Sequence, residues 1–245
     1  MDREEFKKKF GASGPVILPV IHVLESKQAW RNINSAIAGG CPGVFLINHD
    51  FEKEKLVPII KEMRQAFPDI WLGVNFLAVT GKFAFPILGE LQANGCKVDG
   101  YWADDERIDE RRAVDDQPEA DEIASVRASS GWTGLYIGGT AFKKQRDVDP
   151  AQYGKSARIA TNYMDVVVTS GVATGHAADV SKISTFRENC GHTALGLASG
   201  ITPENAEEYT DAVDLFMVAT GINHNSDFYN IDPERLKRLM DLTQT

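Results

Sequence analysis

Apolar residues along this chain fall into short, nearly unbroken runs rather than into alternating stretches. Eight runs stand out: Val16–Val23, Gly43–Asn48, Trp71–Leu77, Gly100–Ala103, Gly134–Gly138, Asp165–Ser170, Ala194–Ser199 and Asp214–Thr220. They are rich in Val, Ile and Leu, which predicts strands buried on both faces, as in a parallel sheet. Most neighbouring runs start about 27 to 35 residues apart, room for one strand and one crossover helix. The last two are closer, so the helix between them should be short.

Between the runs the period changes to three and four. In Glu52–Phe67, the residues Leu56, Ile59, Ile60, Met63 and Phe67 share one helical face, and Pro58 falls in the first two turns, where proline is tolerated. Gln117–Ser130 and Ala177–Cys190 also read as helices. So does Pro203–Ala212, with Thr202 as N-cap, and Pro233–Leu242, with Asp232 as cap. Arg3–Phe10 reads as an additional N-terminal helix. Eight strands alternating with helices predict a single (β/α)8 TIM barrel over residues 1–245, an eight-stranded parallel α/β fold; an open doubly wound sheet is the alternative.

Composition narrows the function. The formal net charge is −9, with a pI near 5.1. A duplex nucleic-acid binder needs a basic face, so no such partner is expected. No apolar stretch is long enough for a membrane span, and no secretory leader is visible, which leads to an expected cytoplasmic location. Cys41, Cys96 and Cys190 form no CxxC pair and read as structural thiols of a reducing compartment. The exposed aromatics of a candidate homo-oligomer contact would be Trp132 and Tyr153.

In a barrel of this kind the chemistry sits at the C-terminal strand ends and the loops after them. Ser199-Gly200-Ile201 after the seventh run and Thr220-Gly221 after the eighth are glycine-bearing turns. Such turns let backbone N–H groups approach an anion, and a helix start adds further amides. Ser170, Gly171, Thr174 and Gly175 after the sixth run extend the same pattern. These positions are the candidate phosphate cradle; the competing reading is that their glycines only make tight turns. Candidate acid, base or positioning groups are His22, Asn75, Asp104, Asp105 and Lys143, with Lys144 beside the last. Asp50, Asp104 and Asp105 are the candidate carboxylates for Mg2+, and no other cofactor is indicated. His22 also reads as a hydrogen-bonded core histidine, Asp104-Asp105-Glu106 as a solvated acidic turn, and Lys143-Lys144 as a solvated pair. Walker A, HExxH and GxSxG motifs are missing from the sequence.

Four stretches resemble the BtpA family: Gly73-Val74-Asn75 with Leu77; Val168-Thr169-Ser170-Gly171-Val172-Ala173-Thr174-Gly175; Ala198-Ser199-Gly200-Ile201-Thr202-Pro203-Glu204-Asn205; and Tyr229-Asn230-Ile231-Asp232-Pro233-Glu234-Arg235. Loop eight reads Asn223-His224-Asn225, where that family's pattern has lysine and glycine. The resemblance implies a phosphate-binding-type barrel. The expected function is acid/base chemistry on a small phosphorylated sugar or nucleotide-like metabolite, by isomerase, lyase or ribosyl-transfer type reaction. The alternative is a non-catalytic assembly or regulatory factor that binds a phosphorylated ligand.

Overall fold

The computed structural model describes residues 1–143, 145–225 and 227–243; Lys144 lies outside the described residues. Strands β1 (Val16–Val23), β2 (Gly43–Asn48), β3 (Trp71–Phe76), β4 (Gly100–Ala103), β5 (Leu135–Gly139), β6 (Val166–Ser170), β7 (Ala194–Ala198) and β8 (Leu215–Val218) follow the eight apolar runs within one or two residues. All neighbours pair in parallel and in chain order, and β8 returns to β1, with Ile17 opposite Phe216, to close the barrel. The helices are α1 (Arg3–Phe10), α2 (Ser26–Ala38), α3 (Lys53–Ala66), α4 (Gly81–Ala93), α5 (Pro118–Ser130), α6 (Tyr153–Ala160), α7 (Val180–Cys190) and α8 (Pro233–Thr243).

Why the runs do not alternate is visible in the packing. On β2, Val44 and Leu46 join the core between sheet and helices, while Phe45 and Ile47 enter the barrel lumen. Both faces of each strand are covered, so both must be apolar. The lumen is closed at its N-terminal end by α1. Its Phe6 is fully buried among the lumen residues, and Phe10 meets Trp71 edge-on, with ring centroids 5.5 Å apart. A capping box fixes the start of α1: the Asp2 carboxylate accepts from the Glu5 amide at 2.8 Å, and Glu5 accepts from the Asp2 amide.

Two expectations are corrected. The β7–β8 connection is not a helix over Pro203–Ala212 but a single 3-10 turn, Ala206–Tyr209. Only residues 199–214 span the two strands. Asn205 turns its side chain back to the Gly200 carbonyl (2.8 Å) and the Thr202 amide (2.8 Å), so the chain is locked in a turn where a helix would start. Trp132 is also not exposed: it stacks on Phe85 and donates its indole N–H to the Val98 carbonyl at 2.9 Å. Asp232 does cap α8, accepting from the Glu234 amide at 2.9 Å. Among the described residues, no helix is long and apolar enough to cross a membrane.

One arrangement recurs three times at the N-terminal rim. Asp99, Asp165 and Asp214 stand immediately before β4, β6 and β8. Each carboxylate accepts from an amide of the preceding strand: Leu72 (3.0 Å), Tyr136 (2.8 Å) and Leu195 (3.0 Å). Each also pairs with an arginine of the helix that leads into that strand: Arg64 of α3 (2.6 Å), Arg127 of α5 (2.5 Å) and Arg187 of α7 (3.2 Å). The spare guanidinium donors hold carbonyls of nearby turns, such as Pro68 and Ile70 for Arg64 and Thr193 for Arg187. Asp214 is wholly buried and adds a second cation, Arg3 at 2.8 Å.

Removing a partner from a buried, hydrogen-bonded charge leaves the other uncompensated, at a cost of about 3–5 kcal/mol. Asp214→Ala is therefore expected to lose about that much in urea unfolding. Asp165→Ala should lose less, because both members of its pair are about a quarter exposed.

Candidate functional site

The C-terminal mouth of the barrel holds a pocket. Its atom-free space is about 560 Å3, solvent at the open mouth included. Most sequence candidates meet there. His22, Asp104 and Lys143 line one side; Thr174, Gly175, Ser199, Gly200, Ile201, Thr220 and Gly221 line the other. Val20, Ile47, Trp102 and Met217 form an apolar floor from the lumen core, and His49 and Leu77 complete the wall.

Other candidates lie elsewhere. Asp105 folds into its own turn, accepting from the Arg107 amide (2.9 Å) and pairing with the Arg107 guanidinium (3.1 Å). Ser170 is fully buried: its hydroxyl donates to the Gly171 carbonyl and accepts from the Lys143 amide, which makes it a loop brace rather than a lining group. Gly171 faces the backbone of His176 and Ala177. Asp50 accepts from the Tyr229 hydroxyl at 2.8 Å. The three carboxylates named for Mg2+ thus do not gather; among the described residues, no three His, Cys, Asp or Glu side chains form a metal-holding group. Asn75 is buried beneath the pocket and directs its amide N–H toward Asp104 (3.4 Å).

Glycines of loops six to eight allow close approach between different loops. A Cβ on Gly200 would strike the backbone of His176 and Ala177, and one on Gly221 would strike the Ile201 carbonyl. They let the three loops lie against one another, and this contact is what brings them to one pocket. Ser199 (φ 90°) and Gly200 (φ 70°) are consecutive left-handed residues. Among the described residues, the four non-glycine positions with positive φ, Ala78, Arg107, Ala141 and Ser199, all follow strand ends at this mouth. Backbone strain of this kind persists only where surrounding contacts enforce it, and it concentrates at functional sites. No loop hydrogen bond among the described residues uses the amide of Gly175, Gly200 or Ile201. Arg235 of α8 holds the Gly221 carbonyl at 3.0 Å, which orients the last loop.

His22 has a defined state. Its Nδ1 lies 3.0 Å from the Phe228 carbonyl, an acceptor, so Nδ1 carries the proton and Nε2 keeps its lone pair. Burial, with the nearby His49 and Lys143, lowers its pKa to about 4 despite the carbonyl. The ring stacks on Phe228 at 3.8 Å between centroids. Phe228 belongs to the segment after β8, which crosses to the β1 side: Gln28 and Asn32 of α2 both donate to the Tyr229 carbonyl at 2.7 Å.

Sequence reasoning missed two supports, Trp102 and Lys182, and placed a third, Glu106, in a solvated acidic turn although it is fully buried. Trp102 gave no signal beyond being an aromatic in a strand. Lys182 of α7 donates to the Ala141 carbonyl (2.6 Å) and the Ser170 carbonyl (2.8 Å), joining loops five and six; burial lowers its pKa to about 8. Glu106, fully buried, accepts from the Gly81 amide that opens α4 (3.0 Å) and fixes the turn carrying Asp104. The buried thiols of Cys41 and Cys190 are pushed up to about 12, which fits structural cysteines.

The class of protein is thereby defined: a closed parallel (β/α)8 barrel with a pocket built from the loops after its strands. More specifically, residues 145–245 match the model of the BtpA family, the part of the chain that supplies β6, β7 and β8 with their loops. No curated protein matches the chain. Similar solved structures include a tryptophan synthase alpha chain from Legionella pneumophila subsp. pneumophila, 13% identical, with a TM-score of 0.67 and coverage of 99% of this chain and 97% of that one. Another is phosphoribosyl anthranilate isomerase from Thermus thermophilus, 13% identical, with a TM-score of 0.62 and coverage of 93% and 97%. A third carries the description "Native KDPGal structure", at 10% identity, a TM-score of 0.59 and coverage of 92% and 93%. At these identities the likeness is one of fold.

Glu106 generates a pH prediction. Burial raises its pKa to about 8 against the hydrogen bonds from Tyr136 and Gly81; Asp105 raises it further and Arg107 opposes. The folded state keeps a proton that the unfolded chain releases near 4.5, so this contribution is full below that pH and is lost as pH rises toward 8. His22 runs the other way, its contribution growing from pH 4 to 6.5. Glu106→Gln removes only the first effect. Its Tm relative to the parent chain should rise between pH 5 and pH 8, by more than about 4 °C if 1 kcal/mol moves Tm by roughly 2–4 °C. A Tm difference independent of pH would contradict a protonated Glu106.

Proposed function

We propose that this chain is an enzyme acting by acid/base chemistry on a small phosphorylated sugar or nucleotide-like metabolite. The observation that carries the reading is the single pocket in which loops six, seven and eight meet His22, Asp104 and Lys143. The phosphoryl group would sit against Gly175, Gly200 and Ile201, whose amides make no loop hydrogen bond among the described residues, with the hydroxyls of Thr174, Ser199 and Thr220 around it. Amide donors at strand ends suit an anion without requiring full positive charges.

On the other wall, His22 keeps an unprotonated Nε2 at neutral pH, free to receive a proton transiently during the reaction, and Asp104 is oriented by Asn75. Lys143 supplies positive charge to an oxygen on which negative charge builds. Isomerisation, carbon–carbon or glycosidic cleavage and ribosyl transfer all contain such a proton transfer. The BtpA match covers the three phosphate loops, and one of the similar folds is named as an isomerase of a phosphoribosyl compound; both agree with the reading.

Thermal shift with inorganic phosphate and with ribose 5-phosphate tests it. A ligand at about 100 times its Kd adds about 2.7 kcal/mol. Asp104→Asn should keep that shift while turnover falls about 100-fold or more. No shift with any phosphorylated compound would refute the anion site; intact cellular function in Asp104→Asn would refute catalysis and favour a binding factor.

A further inference from the structure

Two buried polar atoms beneath the pocket have no partner among the described residues: Nε1 of Trp102 and Oδ1 of Asn75. The pairing of Val74 with Tyr101 places Asn75 beside Trp102 on adjacent strands. Both point inward. Val74, Phe76 and Tyr101 belong to the core facing the helices, whereas Trp102 is in the lumen and lines the pocket. Their residues are 1% and 5% exposed, so open solvent does not satisfy them. An unmade hydrogen bond at a buried group is costly, and these two groups occupy neighbouring positions on adjacent strands. A third orphan, Nε1 of Trp71, lies at the opposite end of the barrel, where β3 begins beside Phe10.

We infer that Asn75 and Trp102 form a hydroxyl-binding subsite at the inner end of the pocket, and that the ligand is a polyhydroxylated phosphate ester, a sugar phosphate. The inference rests on the phosphate reading for the ligand's other end. Asn75 turns its N–H toward the Asp104 carboxylate, which leaves its Oδ1 as an acceptor. The indole N–H is a donor. A group that meets one donor and one acceptor side by side must itself accept and donate, as a hydroxyl does. A carboxylate would suit Trp102 but would face Oδ1 of Asn75 and the Asp104 carboxylate with more negative charge. The same row of the barrel brings His22 opposite Ile47 and Ile47 opposite Asn75, so the bare Nε2 of His22 is at hand for a second hydroxyl.

Indole N–H resonances read this directly. The chain has four tryptophans, and Trp102→Phe assigns the signal by its loss. Ribose 5-phosphate or glucose 6-phosphate should move the Trp102 resonance, while inorganic phosphate and phenyl phosphate leave it in place. Trp102→Phe and Asn75→Leu should weaken the sugar phosphate about 10-fold and leave inorganic phosphate unchanged. A Trp102 resonance unmoved by every sugar phosphate, as expected if only a trapped water bonds it, overturns the subsite. So does equal weakening of all probes. Free ribose at high concentration separates the two readings: a moved Trp102 resonance without any effect of inorganic phosphate keeps the subsite and removes the phosphate loops.

Discussion

The carboxylate that stands before every second strand from β4 onward is the constraint on which this barrel rests. A parallel strand entering the sheet from a turn has an amide and a carbonyl to place at the rim, away from regular ladder partners. Asp99, Asp165 and Asp214 take the amide with the side chain and, with their own N–H, the carbonyl of Leu72, Tyr136 and Leu195. The arginine from the incoming helix then neutralises the carboxylate and draws the preceding turn around itself. Helix, turn and two strands are fixed by one ion pair, in three consecutive two-strand units. Before β2 the equivalent position is Pro42, which has no carboxylate, and there α1 supplies the closure by filling the lumen.

Rigidity at that rim leaves the other free to be irregular. The described non-glycine residues with positive φ, the close contacts of Gly171, Gly200 and Gly221, the buried Glu106 and the half-buried Lys182 lie toward the C-terminal mouth. Each tie there joins neighbouring loops: Lys182 joins five to six, Gly200 lets six meet seven, Gly221 lets seven meet eight, and Phe228 carries eight across to His22. The mouth is thus a ring of loops, each braced by the next. A substitution in the ring should act on its neighbours as well as on its own position.

The strands were legible because a sheet covered on both faces demands unbroken apolar runs, and β1, β2 and β4 match their runs at both ends. Helices with a clean apolar stripe, such as α3 and α8, were legible for the same reason. Others gave no stripe: α4 is apolar nearly all round and carries Pro86 and Gly89, and α6 is only eight residues long. The helix expected after β7 failed because Thr202-Pro203 signals a helix start whether or not the chain has room to continue it. At the site, strand-end position identified His22, Asp104 and the three loops. It could not separate Asp104 from Asp105, since adjacent residues at a turn point in different directions and only Arg107 decides which one leaves. Trp102 was invisible as a polar group because its indole N–H matters only when the fold leaves it without a partner.

Under the proposed reading, an acidic chain must hold its anion locally. With a net charge of −9, long-range attraction works against a phosphate ester, and the described pocket lining carries one cation, Lys143, against one anion, Asp104. What would remain is short-range: backbone amides and hydroxyls on loops tied to one another. Such donors lose little reorganisation energy on binding, and the apolar floor lowers the dielectric in which they act. The same floor keeps His22 neutral, since a charged imidazole there would lose its hydration. One feature of the lumen, its apolar lining, thus keeps His22 neutral on one wall and, under the proposed reading, would strengthen the donors on the other.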